Sequence, residues 1–343
     1  MNPQRHFSRR QFLAVSAAAL AGGCVSSGVS EQLAGVPKAT MANPPPGVEP
    51  ILDIHQHTNY GGARDKNWNQ ILPARSDEQL LAHQKLMGVT QTILLPSGHP
   101  VLRPSTHEGR SNGLESTCTG NEACYALAKQ HPGDYFFGAN EVSDVAGAPA
   151  EIEKYLKMGA IIIAEQKFGV ECDSPEMQRL YKLAEHYHVP ILMHWQVGSY
   201  NYGFDRFHKI LEKYPKVNFI GHAQTWWANI DKNCDNSPKN LYPHGPVTAG
   251  GWTDKYLSDY PNMYGDLSAG SGHNAFKRDP DHARGFIERH QDKLVFGSDC
   301  TDTIGRGAGC TGAMQIAQVR KLSPNKAVER KLLYENAKKL FRL

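Results

Sequence analysis

The sequence has few of the features that mark membrane-spanning and nucleic-acid-binding proteins. No apolar run approaches the roughly 20 residues that a membrane-spanning helix requires. The 37 basic and 34 acidic residues leave a formal net charge of only +3, so the bulk charge does not indicate a basic groove for nucleic acid. With 40% apolar and 21% charged residues, the composition is typical of a globular protein.

Three common motifs of cofactor and metal sites are also missing. The first predicted strand is not followed by G-x-G-x-x-G, so a dinucleotide-binding fold is not indicated. A phosphate-binding loop of the type G-x-x-x-x-G-K is absent as well. None of the seven cysteines forms a Cys-x-x-Cys pair, and the sequence therefore does not predict a structural zinc knuckle.

The N-terminus has the pattern of an export signal. Basic residues precede a short, alanine-rich apolar stretch at residues 12–20. Residues 8–13, Ser-Arg-Arg-Gln-Phe-Leu, resemble the twin-arginine export signal of bacteria. We therefore predict that residues 1–24 are a signal peptide and that the protein is exported by the twin-arginine route. The destination is then the periplasm, or a membrane to which the protein is anchored through a lipid.

Residues 20–24, Leu-Ala-Gly-Gly-Cys, resemble a lipoprotein processing site. Processing there leaves a lipidated Cys24 as the anchor, and cleavage by an ordinary signal peptidase is the alternative. Residues 25–50, which include three consecutive prolines, have the composition of a flexible tether. Because the destination is oxidising, Cys118 with Cys124 and Cys300 with Cys310 are candidate disulfide pairs.

From residue 51 onward, short apolar segments alternate with longer amphipathic ones. Eight apolar segments predict strands, at residues 51–55, 89–95, 135–139, 160–167, 190–194, 218–222, 263–266 and 294–298. Helical patterns fill most of the gaps, and the first such helix begins after Ser76 and stops at Gly88. Eight buried strands that alternate with helices predict a (β/α)8 barrel over residues 51–343, rather than an open doubly wound sheet.

Several of these strands end on side chains that can bind a metal. The first ends on a His-x-His pair, and alternation along a strand sends both imidazoles to the same side. Barrel enzymes keep their chemistry at the C-terminal strand ends, so the side chains should converge there. The candidates are His55, His57, His194, His222 and Asp299. Imidazoles and a carboxylate suit a divalent metal, most often zinc, with manganese, iron or nickel as alternatives.

The same strand ends carry a resemblance to a known family. Over residues 51–343 the chain resembles the amidohydrolase superfamily, in particular its amidohydrolase-related branch. The resemblance rests on the segments DIHQH at 53–57, MH at 193–194, IGH at 220–222 and FGSD at 296–299. In that superfamily the corresponding side chains surround one or two metals. The resemblance thus implies metal-binding roles for His55, His57, His194, His222 and Asp299.

The fourth predicted strand distinguishes between subtypes of the superfamily. Glu165 is favoured as a ligand that bridges two metals, like the strand glutamate of the superfamily's metal-dependent deoxyribonucleases, because it needs no modification. Three roles are open for Lys167: a carbamylated residue that bridges the metals, a positive charge that holds an anionic substrate, or a salt-bridge partner of the site carboxylates. A third arrangement has a single metal, with His222 released from the metal to act as a base.

The resemblance implies a metal-dependent hydrolase that acts on an ester, lactone, amide or similar bond of a small organic substrate. In this scheme a metal-activated water attacks, and Asp299 takes its proton. The alternative is non-oxidative decarboxylation of a small carboxylic acid, as in the one-metal relatives of aminocarboxymuconate-semialdehyde decarboxylase. A non-catalytic, ligand-binding barrel is less favoured, because no metal-capable strand end has been replaced.

Other polar and aromatic residues are candidates for supporting roles. Asp266, at the end of the seventh predicted strand, is expected to orient a metal ligand. Trp226 and Trp227 either stack on the substrate or pack on the outer face of the barrel. The strand-end loops offer Tyr60, Arg64, Trp68, Arg103 and Arg110. A barrel of this size is also compatible with a homo-oligomer.

Overall fold

Eight parallel strands surround the centre of the molecule in the computed structural model, which describes residues 39–64, 70–98 and 118–343. We label them β1 to β8: Leu52–Gln56, Gln91–Leu94, Tyr135–Phe137, Ile163–Gln166, Ile191–His194, Phe219–His222, Met263–Asp266 and Leu294–Val295. Each overlaps one of the eight predicted segments, although β2 to β6 and β8 are shorter than predicted. A small antiparallel hairpin, Ala63–Arg64 with Gln70–Leu72, lies in the loop after β1.

The strands close into a barrel through two seams. Hydrogen bonding defines one sheet in the order β1-β2-β3 and another in the order β8-β7-β6-β5-β4. A parallel bridge between Ala139 and Ile163 joins the two sheets after β3. At the other seam, the Ile54 amide donates to Phe296 O at 3.1 Å, and the Asp299 amide donates to His55 O at 2.8 Å. The predicted (β/α)8 barrel is thus confirmed.

Helices cover the outside of the barrel. They are α1 to α12: Asp77–Met87, Asn121–Gln130, Ala148–Lys157, Pro175–Tyr187, His208–Lys213, Ala223–Ala228, Trp252–Asp259, Ala269–Lys277, Pro280–His290, Thr311–Leu322, Lys326–Arg330 and Asn336–Phe341. The predicted ends of α1 are confirmed, since the Ser76 hydroxyl accepts from the Gln79 amide and Gly88 ends the helix in the left-handed conformation. No helix in the described part of the chain is long and apolar enough to cross a membrane.

Apolar side chains fill the interior of the barrel and the space outside it, whereas polar side chains follow the C-terminal ends of the strands. Buried apolar residues of the strands, such as Leu52, Ile54 and Val295, pack in one cluster with Leu340 and Phe341 of α12. A larger cluster fills the space between the strands and the other helices. Fixed strands surrounded by a packed interior hold the side chains that follow them in defined positions.

The outcome of the remaining sequence predictions is mixed. The predicted signal peptide, Cys24, Trp68, Arg103 and Arg110 lie outside the described residues. At the end of the predicted tether, residues 39–50 contain no helix or strand, and the Ala42 amide donates to Gly133 O at 3.0 Å. Neither candidate disulfide is formed, because all six described cysteines are thiols.

Candidate metal centre

All six side chains that the sequence proposed as metal ligands meet at the C-terminal ends of the strands. They come from β1, β4, β5, β6 and the residues after β8: His55, His57, Glu165, His194, His222 and Asp299. The first five are buried, and the Asp299 side chain is 11% exposed. Asp299 is therefore the member of the set with the most access to solvent.

Glu165 lies between two pairs of imidazoles. One carboxylate oxygen, Oε2, is 3.4 Å from His55 Nε2 and 3.4 Å from His57 Nε2. The other, Oε1, is 2.5 Å from His194 Nδ1 and 3.5 Å from His222 Nε2. A single carboxylate thus faces two separate groups of nitrogen donors, as a bridging ligand would.

Asp299 closes the cluster on the side of the last strand. Its Oδ1 is 3.5 Å from His57 Nε2, and its Oδ2 is 3.7 Å from His222 Nε2. The Tyr60 hydroxyl donates to Oδ1 at 2.8 Å. The backbone of Asp299 has a positive φ of 47°, a conformation that costs energy in residues other than glycine and concentrates at functional sites.

Hydrogen bonds fix which nitrogens of the first two histidines face the cluster. His57 Nδ1 lies 2.6 Å from Leu95 O, and a carbonyl can only accept, so Nδ1 carries the proton. His55 Nδ1 lies 2.7 Å from Asp266 Oδ2. Each imidazole therefore directs Nε2 at the cluster, where it offers a lone pair whenever that nitrogen carries no proton.

These two lone pairs provide a test of metal binding. His55 Nε2 and His57 Nε2 are 3.2 Å apart, and two lone pairs at this distance repel unless a cation or a proton lies between them. Two nitrogens on one tetrahedral zinc ion, each about 2.0–2.1 Å from it, are about 3.3 Å apart. The donor types, burial and spacing therefore fit a divalent metal ion.

Asp266, at the end of β7, orients two of the imidazoles. Its Oδ2 lies 2.7 Å from His55 Nδ1 and 3.2 Å from His222 Nδ1. Oδ2 also accepts from the Ser268 hydroxyl at 2.7 Å. The backbone oxygen of Asp266 accepts from Trp227 Nε1 at 2.9 Å, which ties the strand end to the core. This is the position expected of a residue that holds metal ligands without binding the metal.

Replacing Asp266 with asparagine should weaken metal binding by about 10- to 100-fold, the usual effect of removing a carboxylate behind a histidine ligand. The amide is similar in size but lacks the charge that fixes both imidazoles. Metal titration of the purified variant checks this result. Asp281→Asn is a matched control, because its carboxylate is 94% exposed and pairs only with Arg284 in the described structure. An unchanged affinity in Asp266→Asn would remove Asp266 from the supporting role.

The charge state of the cluster suits a cation. Burial would lower the pKa of His55, but the carboxylates of Asp299 and Asp266 outweigh it and raise that pKa to about 10. Burial and the positive charge of Lys167 lower the pKa of His194 to about 4. Burial would raise the pKa of Asp266, but hydrogen bonds from His222 and His55 lower it to about 2. Asp266 is therefore an anion at neutral pH.

The predicted salt bridge of Lys167 to the site carboxylates is wrong for the described structure. Its ammonium instead lies over the ring of Tyr200, 5.6 Å from the centroid. The Tyr200 ring in turn lies 5.5 Å from the His194 ring. The cause is that Glu165 is already surrounded by imidazoles, so the lysine packs along an aromatic ring at the edge of the site.

Two tryptophans lie in the core rather than in the site, and two polar residues beside the histidines were not predicted. Trp226 and Trp227 are buried in the apolar core, which confirms packing rather than substrate stacking. Sequence reasoning missed Gln196, whose Oε1 is 3.3 Å from His194 Nε2, and Ser268, whose hydroxyl is 2.9 Å from His222 Nδ1. Both follow a strand-end site residue by two positions, the same spacing that links His55 to His57.

Comparison with known proteins assigns the family. A family model described as amidohydrolase matches residues 53–343. The chain belongs to the amidohydrolase family. No curated protein sequence matches this amidohydrolase.

Solved structures confirm the fold of the amidohydrolase. An uncharacterized TIM-barrel protein from Bordetella bronchiseptica is 16% identical with a TM-score of 0.55, covering 85% of this chain and 98% of that one. A probable 2-pyrone-4,6-dicarboxylic acid hydrolase from Acinetobacter baumannii, with citric acid bound, is 13% identical with a TM-score of 0.53, covering 85% and 99%. A 2,6-dihydroxybenzoate decarboxylase complexed with 2,6-dihydroxybenzoate is 12% identical with a TM-score of 0.50, covering 86% and 100%.

Proposed function

We propose that this amidohydrolase is a hydrolase with two divalent metal ions, zinc in the first place, acting on an ester, lactone, amide or similar bond of a small organic substrate. The observation that carries the proposal is the position of Glu165. Its two oxygens face different donor groups, His55 with His57 and His194 with His222. Two ions on one bridging carboxylate are typical of hydrolytic sites that activate water.

Bound divalent metal supplies a Lewis acid and lowers the pKa of a bound water towards about 7. The protein supplies the proton acceptor. Asp299 suits that role because it faces the imidazoles and is also the most exposed of the six side chains. The Tyr60 hydroxyl donates to Oδ1, which orients the carboxylate and leaves lone pairs on Oδ2 to take the proton and pass it to the leaving group.

The position of Lys167 is an argument for a negatively charged group on the substrate. This lysine makes no ion pair within the described residues, and its charge is felt at His194. A substrate carboxylate placed beside it would gain a partner near the metal ligands. Two structural neighbours, a probable 2-pyrone-4,6-dicarboxylic acid hydrolase and a 2,6-dihydroxybenzoate decarboxylase, are both named for carboxylic acids. We therefore propose a substrate that carries at least one carboxylate.

Decarboxylation is the second candidate, and the same lysine favours it. A one-metal site would use His55, His57 and Asp299, and would free His222 to act as a base. His222 Nδ1 is held by the Ser268 hydroxyl and Asp266, so its Nε2 points into the cluster with a fixed orientation. This arrangement differs from the hydrolytic one in the number of metal ions.

The experiment that separates the two candidates combines metal analysis with a substrate screen. A chain whose Cys300 and Cys310 are replaced with serine is reconstituted with zinc, manganese, iron or nickel, so that metal held by these thiols is not counted, and metal bound per chain is measured by mass spectrometry. Esters, lactones, amides and carboxylates are then assayed for hydrolysis and for release of carbon dioxide. The expected result is hydrolysis with two equivalents of metal that share Glu165, and with one equivalent of metal in Glu165→Gln. One equivalent with release of carbon dioxide would establish the decarboxylase instead, and a protein that binds no metal under any condition would indicate a non-catalytic barrel.

Export, lipid anchoring and self-association are further proposals from the sequence. We propose that the mature protein lies in the periplasm or is anchored through a lipid at Cys24. Cell fractionation with and without Cys24→Ser tests the anchor, since the variant should leave the membrane fraction. Sedimentation of the purified chain tests for a homo-oligomer, and a monomer at all concentrations would reject it.

A further inference from the structure

A second group of metal-binding side chains lies outside the catalytic centre. It consists of His83 in α1, Cys300 and Asp302 after β8, and Cys310 immediately before α10. His83, Cys300 and Cys310 are buried, and the Asp302 side chain is 21% exposed. The proposed hydrolysis does not use any of these four residues.

The distances within this group match those around one tetrahedral ion. Cys300 Sγ is 3.6 Å from Cys310 Sγ, Cys310 Sγ is 3.4 Å from His83 Nε2, and His83 Nε2 is 3.3 Å from Asp302 Oδ1. Bonds of about 2.3 Å to sulfur and about 2.0–2.1 Å to nitrogen and oxygen place these pairs about 3.8, 3.6 and 3.4 Å apart around tetrahedral zinc. These three separations agree with that geometry within about 0.2 Å, the tolerance expected of a metal site, and all four donor atoms lie within 4.8 Å of one another.

Hydrogen bonds around the group leave the right atoms free. The Gly312 amide donates to Cys300 Sγ at 3.0 Å, and the Ala313 amide donates to Cys310 Sγ at 3.4 Å. Amide donors of this kind stabilise thiolates. The two thiols are thus prepared to act as anionic ligands.

The protonation of His83 follows from its neighbour. The Gln84 amide nitrogen donates to Asp53 and Thr92, so the Gln84 oxygen is an acceptor. It lies 3.0 Å from His83 Nδ1, which therefore carries the proton. His83 Nε2 consequently presents a lone pair to the two sulfurs and to Asp302.

We propose that His83, Cys300, Asp302 and Cys310 bind one structural divalent cation, zinc in the first place. On binding, both thiols release their protons to solvent and become thiolates, with no change of oxidation state. Two thiolates and a carboxylate exceed the charge of the ion by one unit. Arg75, which donates to Asp302 O at 3.0 Å, supplies a compensating positive charge.

A disulfide between Cys300 and Cys310 is the competing use of these residues. It requires sulfurs about 2.05 Å apart, whereas they are 3.6 Å apart here. A disulfide would also leave unexplained why His83 Nε2 and Asp302 Oδ1 converge on the same point. The four-donor geometry therefore favours the cation.

A bound ion would connect α1 to the segment that carries Asp299. Cys300 follows Asp299 directly, and His83 belongs to α1, which Gln84 already ties to Asp53 and Thr92. A bound ion would therefore fix the position of the catalytic carboxylate from behind. Its role is positional, because none of the four ligands lies among the catalytic donor groups.

Cobalt titration of the whole purified chain tests the proposal. The protein is stripped of metal under reducing conditions, and Co²⁺ alone is added. The catalytic donor groups contain no sulfur, but the Cys118 thiol contacts His57. A sulfur-to-cobalt charge-transfer band in the near ultraviolet that persists in Cys118→Ser therefore reports on the second group. We expect this band to appear and, at saturating cobalt, to reach the intensity of one cobalt ion bound by two thiolates. A reduced wild-type chain without the band would overturn the proposal, whatever the metal content of the catalytic centre.

Substitutions of the proposed ligands test which residues give rise to the cobalt band. Cys300→Ser and Cys310→Ser should lose it, while Cys172→Ser should keep it, since that buried thiol donates to Gly203 O elsewhere in the fold. If the serine variants do not fold, Asp302→Asn retains both sulfurs and should weaken cobalt binding at this site at least about 10-fold. Persistence of the full band in folded Cys300→Ser or Cys310→Ser, or an unchanged cobalt affinity in Asp302→Asn, contradicts the assignment. So does recovery of a Cys300–Cys310 disulfide, without thiolate-bound metal, from protein purified without reductant.

Discussion

Replacing Asp299 with asparagine should reduce kcat by about 10³-fold, within the range of about 10²–10⁴ that a positioned general base contributes, while the barrel stays folded. The amide cannot accept the proton that the carboxylate takes from the attacking water. Asparagine has the same shape and tolerates a positive φ such as the 47° found here. The Tyr60 hydroxyl can still donate to the amide oxygen.

The assay for Asp299→Asn uses whichever substrate the screen identifies, with circular dichroism as the measure of folding. Metal content must be determined on the same sample, because Asp299 is also one of the proposed metal ligands. Full activity of a correctly folded Asp299→Asn chain would sink the assignment of Asp299 as the base. Asp281→Asn, at an exposed position in α9, should retain wild-type activity.

Replacing Gly297 with alanine should both destabilise the fold and disturb the site. A Cβ at this position would lie 2.5 Å from Asp266 Oδ1 and 2.8 Å from the Cβ of His55. Asp266 Oδ1 cannot easily move, because it accepts from the Ser268 amide at 3.0 Å. We expect a loss of about 1–3 kcal/mol in the free energy of unfolding, the usual cost of overpacking, together with weaker metal binding.

Thermal denaturation and metal titration measure the two effects of Gly297→Ala. The matched control is Gly285→Ala in α9, where a new Cβ would meet only the end of the flexible Arg289 side chain at 3.4 Å. Alanine is favoured over glycine within a helix by up to about 1 kcal/mol, so this variant should be at least as stable as the wild type. Equal stability and equal metal affinity for both variants would show that the space around Gly297 is larger than the structure implies.

Much of the fold and of the catalytic centre could be predicted because the relevant signals are local in sequence. Apolar segments that lack polar alternation indicate strands buried on both faces, and a barrel places all their C-terminal ends together. His194 and His222 could therefore be expected to meet before any coordinates were known. The position of Glu165 between them followed from its strand, although the choice between Glu165 and Lys167 required the resemblance to a family.

The second cluster could not be predicted, because its spacing has no local pattern. His83 is on the first helix, and Cys310 lies far along the chain. The absence of Cys-x-x-Cys excludes a zinc knuckle but says nothing about ligands that separate elements contribute. Their proximity depends on how α1 packs beside the loop after β8. The contact of Lys167 with Tyr200 could not be predicted either, because it depends on which side chains surround Glu165 in the folded chain.

The seam between the first and last barrel strands has a consequence for how the protein is made. His55 O accepts from the Asp299 amide, so one proposed metal ligand, at the start of the barrel, is hydrogen-bonded to another at its end. A nascent chain that lacks residue 299 carries all four site histidines and Glu165, yet its barrel is open at this seam. If these residues bind metal as proposed, full metal retention would require synthesis of the last strand.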